Sequence, residues 1–214
     1  MSGRIVWPEL RYPLVAILRG IQVSEVGAIV SALIEVGFEA IEIPLNSPEP
    51  FLSIEKAVTL APDNVLIGAG TALSVEDVDR LNDVGGRLVV SPNVEPDVIR
   101  RAAKHNMVTM PGVFTPTEAF SAIRAGASAL KFFPASVLGV DGIKAMGAVL
   151  PKDIPIGAVG GVSEADFATY VNAGVSAFGL GSSLYKAGFS VAQVRERAKR
   201  AVAAWEELRA EQSV

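Results

Sequence analysis

Residues 156–182, IGAVGGVSEADFATYVNAGVSAFGLGS, contain one complete structural unit. Ile156 to Val159 is a short apolar run that ends in Gly160-Gly161. Ser163-Glu164 supplies a helix start, a stretch of helical periodicity follows, and Gly174 supplies the stop. The next apolar run, Ala177 to Leu180, again ends in small residues, Gly181-Ser182. Two such runs joined by one helix read as neighbouring parallel strands linked by a right-handed crossover.

The same pattern recurs back along the chain, at Leu14 to Leu18, Ala40 to Ile43, Val65 to Ile67, Leu88 to Val90, Val108 to Met110 and Ala129 to Phe132. With the two runs above, that makes eight, spaced about 20–26 residues apart, enough for one strand, one helix and two tight loops. Helix starts stand at Ser24-Glu25, at Ser74 with Glu76 and Asp77, at Glu95-Pro96-Asp97 and at Pro116 to Glu118. Stops stand at Gly37, Gly85-Gly86 and Gly126. Eight near-equal units favour a closed barrel over an open sheet, and they share no consensus that would suggest a solenoid. The first turn, Arg19-Gly20-Ile21-Gln22, has one glycine where a dinucleotide fingerprint needs three. The expected fold is a single (β/α)8 TIM barrel spanning residues 1–214. Its last helix is expected from about Val191 to Leu208, after a short amino-terminal segment around Trp7 to Leu10.

Composition narrows the function. Of 214 residues, 50% are hydrophobic and 20% charged, with a net charge of −4, so neither disorder nor a polyanion-binding surface is expected. Mean hydropathy is +0.39. Gly, Pro or charge nevertheless interrupts every apolar run well short of the roughly 18 residues of a membrane span. Met1 to Pro13 lacks the long apolar region of a signal peptide and Cys is absent, so a cytoplasmic protein without thiol chemistry is expected. The one histidine, His105, lies in Arg100-Arg101-Ala102-Ala103-Lys104-His105-Asn106, which reads as the end of an exposed helix. A zinc site built on imidazoles and a Ser-His-Asp triad are thereby set aside.

In such a barrel, chemistry collects where strands end. Glu42, within Ile41-Glu42-Ile43-Pro44, points into the barrel if both isoleucines face the helices; Lys131, between Leu130 and Phe132, does the same. They belong to the second and sixth strands, on opposite walls. One reading is a buried ion pair that adds little stability. The other is an amine whose neutral form is favoured by apolar surroundings and attacks a carbonyl as a Schiff-base nucleophile, with Glu42 moving protons. Gly160-Gly161 and Gly181-Ser182 follow the last two strands, the recurrent phosphate position of this fold; the plain alternative is two tight turns. Arg19 suits a carboxylate or a phosphate, against the alternative of a surface arginine. Thr71, after Ile67-Gly68-Ala69-Gly70, offers a hydroxyl to substrate or caps a helix. Asn46 and Pro92 are further candidates for substrate contact.

Several segments together resemble the 2-keto-3-deoxy-6-phosphosugar-acid aldolases, the KDPG/KHG aldolase family: Val15-Ala16-Ile17-Leu18-Arg19-Gly20, Gly37 through Pro48, Ile67-Gly68-Ala69-Gly70-Thr71, Lys131-Phe132-Phe133-Pro134 and Gly179-Leu180-Gly181-Ser182. The resemblance covers nearly the whole chain. It implies a class I aldolase with Lys131 forming the imine, Glu42 shuttling protons, Arg19 and Thr71 holding substrate, and Gly161, Gly181 and Ser182 holding phosphate. It further implies a homotrimer and no metal or organic cofactor. The chain is most similar to the galactonate branch, having Asn46 where the gluconate branch has Arg, and Val159 before Gly160-Gly161 where that branch has Thr. Losing a hydroxyl beside the reacting carbons alters which C4 configuration finds a partner.

That branch implies cleavage of a phosphorylated 2-keto-3-deoxy sugar acid, 2-dehydro-3-deoxy-6-phospho-D-galactonate, to pyruvate and D-glyceraldehyde 3-phosphate in galactonate catabolism. No nucleic-acid or membrane partner is expected. The alternatives are the same reaction on the gluconate epimer or on 4-hydroxy-2-oxoglutarate, an epimerase or isomerase using Glu42 as base, and a noncatalytic phosphosugar-binding barrel.

Overall fold

The computed structural model describes residues 4–212. Its strands are β1 (Leu14–Ile17), β2 (Ala40–Pro44), β3 (Leu66–Gly70), β4 (Leu88–Val90), β5 (Val108–Met110), β6 (Gly112–Val113), β7 (Leu130–Phe132), β8 (Ile156–Val159) and β9 (Ala177–Leu180). Between and after them run α1 (Val23–Val36), α2 (Pro50–Leu60), α3 (Val75–Asp83), α4 (Pro96–Lys104), α5 (Pro116–Ala125), α6 (Ala135–Gly147), α7 (Phe167–Asn172) and α8 (Val191–Gln212). A 3-10 turn, Glu164–Asp166, precedes α7.

Neighbouring strands pair in parallel in the order β5-β4-β3-β2-β1-β9-β8-β7-β6. The fifth apolar run, Val108 to Met110, forms β5 as expected and pairs with β4; beyond Pro111, which has no N–H to donate, the same stave resumes as β6, which pairs with β7. Two bonds cross the division: Ala129 N donates to the Thr109 carbonyl at 3.0 Å and Lys131 N donates to the Pro111 carbonyl at 2.9 Å. Nine strand segments thus make eight staves, and the nearly closed (β/α)8 barrel expected from the sequence is present.

Strand alternation sorts the apolar side chains into two compartments. Ile41, Ile43, Leu130, Phe132, Phe178 and Leu180 pack outward with the helices. Val15, Ala40, Leu88, Val108, Met110 and Ala177 belong to a separate cluster, against which Ile5, Trp7 and Leu10 pack from the amino-terminal segment. That segment plugs one end of the barrel and leaves the carboxyl ends of the strands for the site.

Local start and stop chemistry matches most of the expected boundaries. Ser74 accepts from Asp77 N at 3.1 Å ahead of α3, and Thr115 accepts from Glu118 N at 3.3 Å ahead of α5. Helix α1 begins at Val23, with Gln22 rather than Ser24 at its cap, because Glu25 reaches back to the Gln22 N–H at 2.9 Å. The last helix runs to Gln212, a turn beyond the expected Leu208. Among the described residues no helix is long and apolar enough to cross a membrane.

One strand glycine is dictated by spacing. A Cβ on Gly68 would stand 1.9 Å from the Leu88 carbonyl oxygen, whereas a Cβ on Gly181 would meet nothing within 4 Å. Gly68→Ala is therefore expected to cost about 1–3 kcal/mol by overpacking, at about 2–4 °C of Tm per kcal/mol in a chain of this size. Gly181→Ala is expected to hold or slightly raise Tm, because the substitution restricts only the unfolded chain. Calorimetry of the two variants checks the contrast.

Candidate active site

Glu42 lies on β2 and Lys131 on β7, only 2% and 6% exposed. Between these strands the ring holds β1, β9 and β8, so the two side chains enter from opposite walls. Both line one cavity of about 430 Å³, together with Arg19, Val159, Gly160, Gly161, Gly181 and Ser182. Glycines make its room. A Cβ on Gly70 would fall 1.9 Å from Glu42 Oε2, and one on Gly179 would fall 2.6 Å from Val159 Cγ2.

Burial governs the electrostatics. It pushes the Glu42 carboxyl up to about 7, against the pull of Lys131 and Arg19 toward ionisation. It also pushes the Lys131 amine below its ordinary value; Glu42 opposes that shift and Arg19 adds to it. The Phe133 ring, centred 4.6 Å from Lys131 Nζ, favours the ammonium, yet desolvation dominates. The two groups feel each other through space, but among the described residues they form no ion pair. Glu42 Oε2 is buried without any hydrogen-bond partner. An unpartnered carboxyl facing a cavity is arranged to meet something that enters it.

The other expected residues divide. Arg19 is on the wall, and its guanidinium donates to Asn46 Oδ1 at 2.5 Å. Asn46 itself is not on the wall; it orients Arg19. Thr71 follows Gly70 with a φ of 55° and also lies off the wall. It is not the cap of α3, since Ser74 is. Pro92 packs beneath Gly112, where an added Cβ would meet the Pro92 carbonyl carbon at 2.4 Å. His105 closes α4 on the outside, with Nε2 2.9 Å from Asp79 Oδ1.

Strand-end reasoning missed Tyr185, Lys186 and Ala187, which complete the wall beyond Ser182. Tyr185 N donates to the Gly181 carbonyl at 2.8 Å, a helical spacing that folds this segment back over the cavity. No periodic signal in the sequence points to these residues, which lie in a turn and the irregular backbone after it.

Comparison with known proteins agrees with the geometry. A "Probable 2-dehydro-3-deoxy-6-phosphogalactonate aldolase" of Rhizobium meliloti (strain 1021) is 64% identical over 95% of this chain and 96% of its own length. The 2-dehydro-3-deoxy-6-phosphogalactonate aldolase of Escherichia coli (strain K12) is 49% identical over 93% of this chain and 97% of its own. A solved structure described as native KDPGal superposes with a TM-score of 0.92 at 49% identity, covering 95% of this chain and 98% of that one. The aldolase family model "KDPG and KHG aldolase" matches residues 9–208, and with these relatives it establishes that the chain belongs to the KDPG and KHG aldolase family.

Proposed function

We propose that this aldolase cleaves 2-dehydro-3-deoxy-6-phospho-D-galactonate to pyruvate and D-glyceraldehyde 3-phosphate through a Schiff base on Lys131, as a step in galactonate catabolism. The observation that carries the reading is the burial of an amine and a carboxyl on opposite walls of one cavity, each displaced toward its neutral form. The names of the 64% and 49% identical relatives supply the substrate.

Neutral Lys131 attacks C2, and Glu42 in its acid form protonates the departing hydroxyl, so the carbinolamine loses water and becomes an iminium. Glu42, now a carboxylate, accepts the C4 hydroxyl proton. The C3–C4 electron pair flows to the iminium nitrogen, the aldehyde leaves, and the enamine is protonated at C3. Water then releases pyruvate and restores the amine. A carboxyl near 7 serves both directions of proton transfer at neutral pH.

Arg19, steadied by Asn46, is assigned the substrate carboxylate, and Thr71 a further substrate contact. The N–H groups of Gly161 and Gly181 and the Ser182 hydroxyl are assigned the phosphate, with Gly160 setting the turn. Val159 lies beside the reacting carbons and bears on the C4 configuration. A phosphorylated substrate does not cross a bilayer unaided, which fits a cytoplasmic enzyme.

A homotrimer belongs to the same reading. Exposed Leu73, Phe114 and Val137 follow β3, β6 and β7 and give such an assembly apolar surface to cover. Its test is a solution mass three times the 22.4 kDa of one chain.

Borohydride reduction with pyruvate is expected to add a three-carbon acid to Lys131 alone, seen by peptide mass mapping, and Lys131→Met is expected to abolish both trapping and cleavage. An unmodified Lys131 in the wild type removes the mechanism. For cleavage, kcat/KM is expected to fall about tenfold per pH unit above about 7, as Glu42 ionises and the acid form that starts the reaction is lost. Glu42→Gln should lower kcat by about 10²–10⁴ and flatten that limb. A coupled assay with both phosphorylated C4 epimers decides the substrate: faster turnover of the gluconate compound would replace the galactonate assignment.

A further inference from the structure

We infer that Lys186 is the charged partner of the substrate phosphate and sets the enzyme's preference for phosphorylated over unphosphorylated sugar acids. This rests on the aldolase reading above and extends it to a residue outside the strand ends.

Three cationic side chains line the cavity: Arg19, Lys131 and Lys186. Lys131 is held toward its neutral form by burial, and the Arg19 guanidinium is engaged by Asn46. Lys186 is exposed at the cavity mouth, and among the described residues its ammonium makes no hydrogen bond, ion pair or ring contact. An unengaged ammonium at the edge of a cavity is free to pair with an entering anion.

Its placement selects which anion. The turn that begins at Gly181 is closed by bonds from Leu184 N and Tyr185 N to the Gly181 carbonyl, at 2.9 and 2.8 Å. Ser182, on that turn, and Lys186, just past it, both line the cavity. The turn is rigidly seated: Leu184 and Tyr185 are buried, and the Tyr185 hydroxyl is 3.5 Å from Glu25 Oε2 on α1. Ala187 packs against the loop after β1, 3.4 Å from where a Cβ on Gly20 would stand. Lys186 lines the same cavity as Gly161, Gly181 and Ser182, whose N–H groups and hydroxyl supply hydrogen bonds but no full positive charge. A dianionic phosphate needs that charge locally, because the chain carries a net −4.

The test compares wild type, Lys186→Met and Lys186→Arg on the phosphorylated and unphosphorylated forms of the sugar acid. The Met variant is expected to raise KM for the phosphorylated compound about 10- to 100-fold, with kcat much less affected, and to shrink the phosphorylation preference by a similar factor. It should also weaken inorganic phosphate binding by calorimetry and flatten the salt dependence of KM. Lys186→Arg is expected to restore most of each effect. Unchanged KM, phosphate affinity and salt dependence in the Met variant would overturn the assignment. Failure of the aldolase reading would appear separately, as a wild type that neither cleaves the sugar acid nor is trapped by pyruvate, and phosphate calorimetry still decides the role of Lys186 in that case.

Discussion

Desolvation of two ionisable groups inside a closed parallel sheet is the constraint on which this site depends. The staves satisfy one another's backbone hydrogen bonds and leave their inward positions to side chains alone. Below the site those positions are apolar, and Trp7 and Leu10 pack against them at the far end. Each group lowers the other's cost of ionisation, yet burial outweighs the mutual attraction for both. An amine pushed below its ordinary value and a carboxyl pushed up to about 7 are the combination that imine chemistry uses, and no catalytic histidine has to be supplied.

The same burial costs stability, and the two groups exact that cost at opposite ends of the pH scale. A carboxyl raised from 4.5 to about 7 binds a proton more tightly folded than unfolded, so its stabilising contribution falls as pH rises through that window. An amine lowered from 10.5 binds its proton less tightly when folded, so its penalty is fully present at low pH and is recovered as pH rises toward 10.5. The missing partner of Glu42 Oε2 is part of the same cost, accepted where substrate is to be met.

Much of this was legible because parallel strands buried on both faces read as bare apolar runs, and a charged residue inside one stands out. Glu42 between two isoleucines and Lys131 between Leu130 and Phe132 are such interruptions, and alternation alone sends both inward. Pro111 was less legible. A proline at the end of an apolar run reads as a terminator, and nothing local announces that the stave resumes at Gly112. The pairing of Arg19 with Asn46 joins two loops 27 residues apart and carries no periodic signature. Thr71 follows β3 in a left-handed backbone conformation, which the sequence does not announce, and is not among the residues that line the cavity. Lys186 lies just past a turn, where neither the strand period nor the helix period applies.

Charge placement explains why the site has a direction. Arg19 lowers the pKa of Lys131 as well as offering a guanidinium to an anion, so it helps keep the amine neutral before substrate arrives. Any negative charge brought close to Lys131 works against that shift. A one-carbon neighbour such as the C1 carboxylate has no choice of position, and Arg19 offsets its single charge. The phosphate carries up to two charges and sits at the other end of the carbon chain. In the proposed assignment, holding it at the Gly161 and Ser182 end, over backbone dipoles and an exposed lysine, puts its field in contact with solvent and outside the apolar zone around the amine. On that assignment the barrel recognises a strongly anionic substrate without protonating the proposed nucleophile that must attack it.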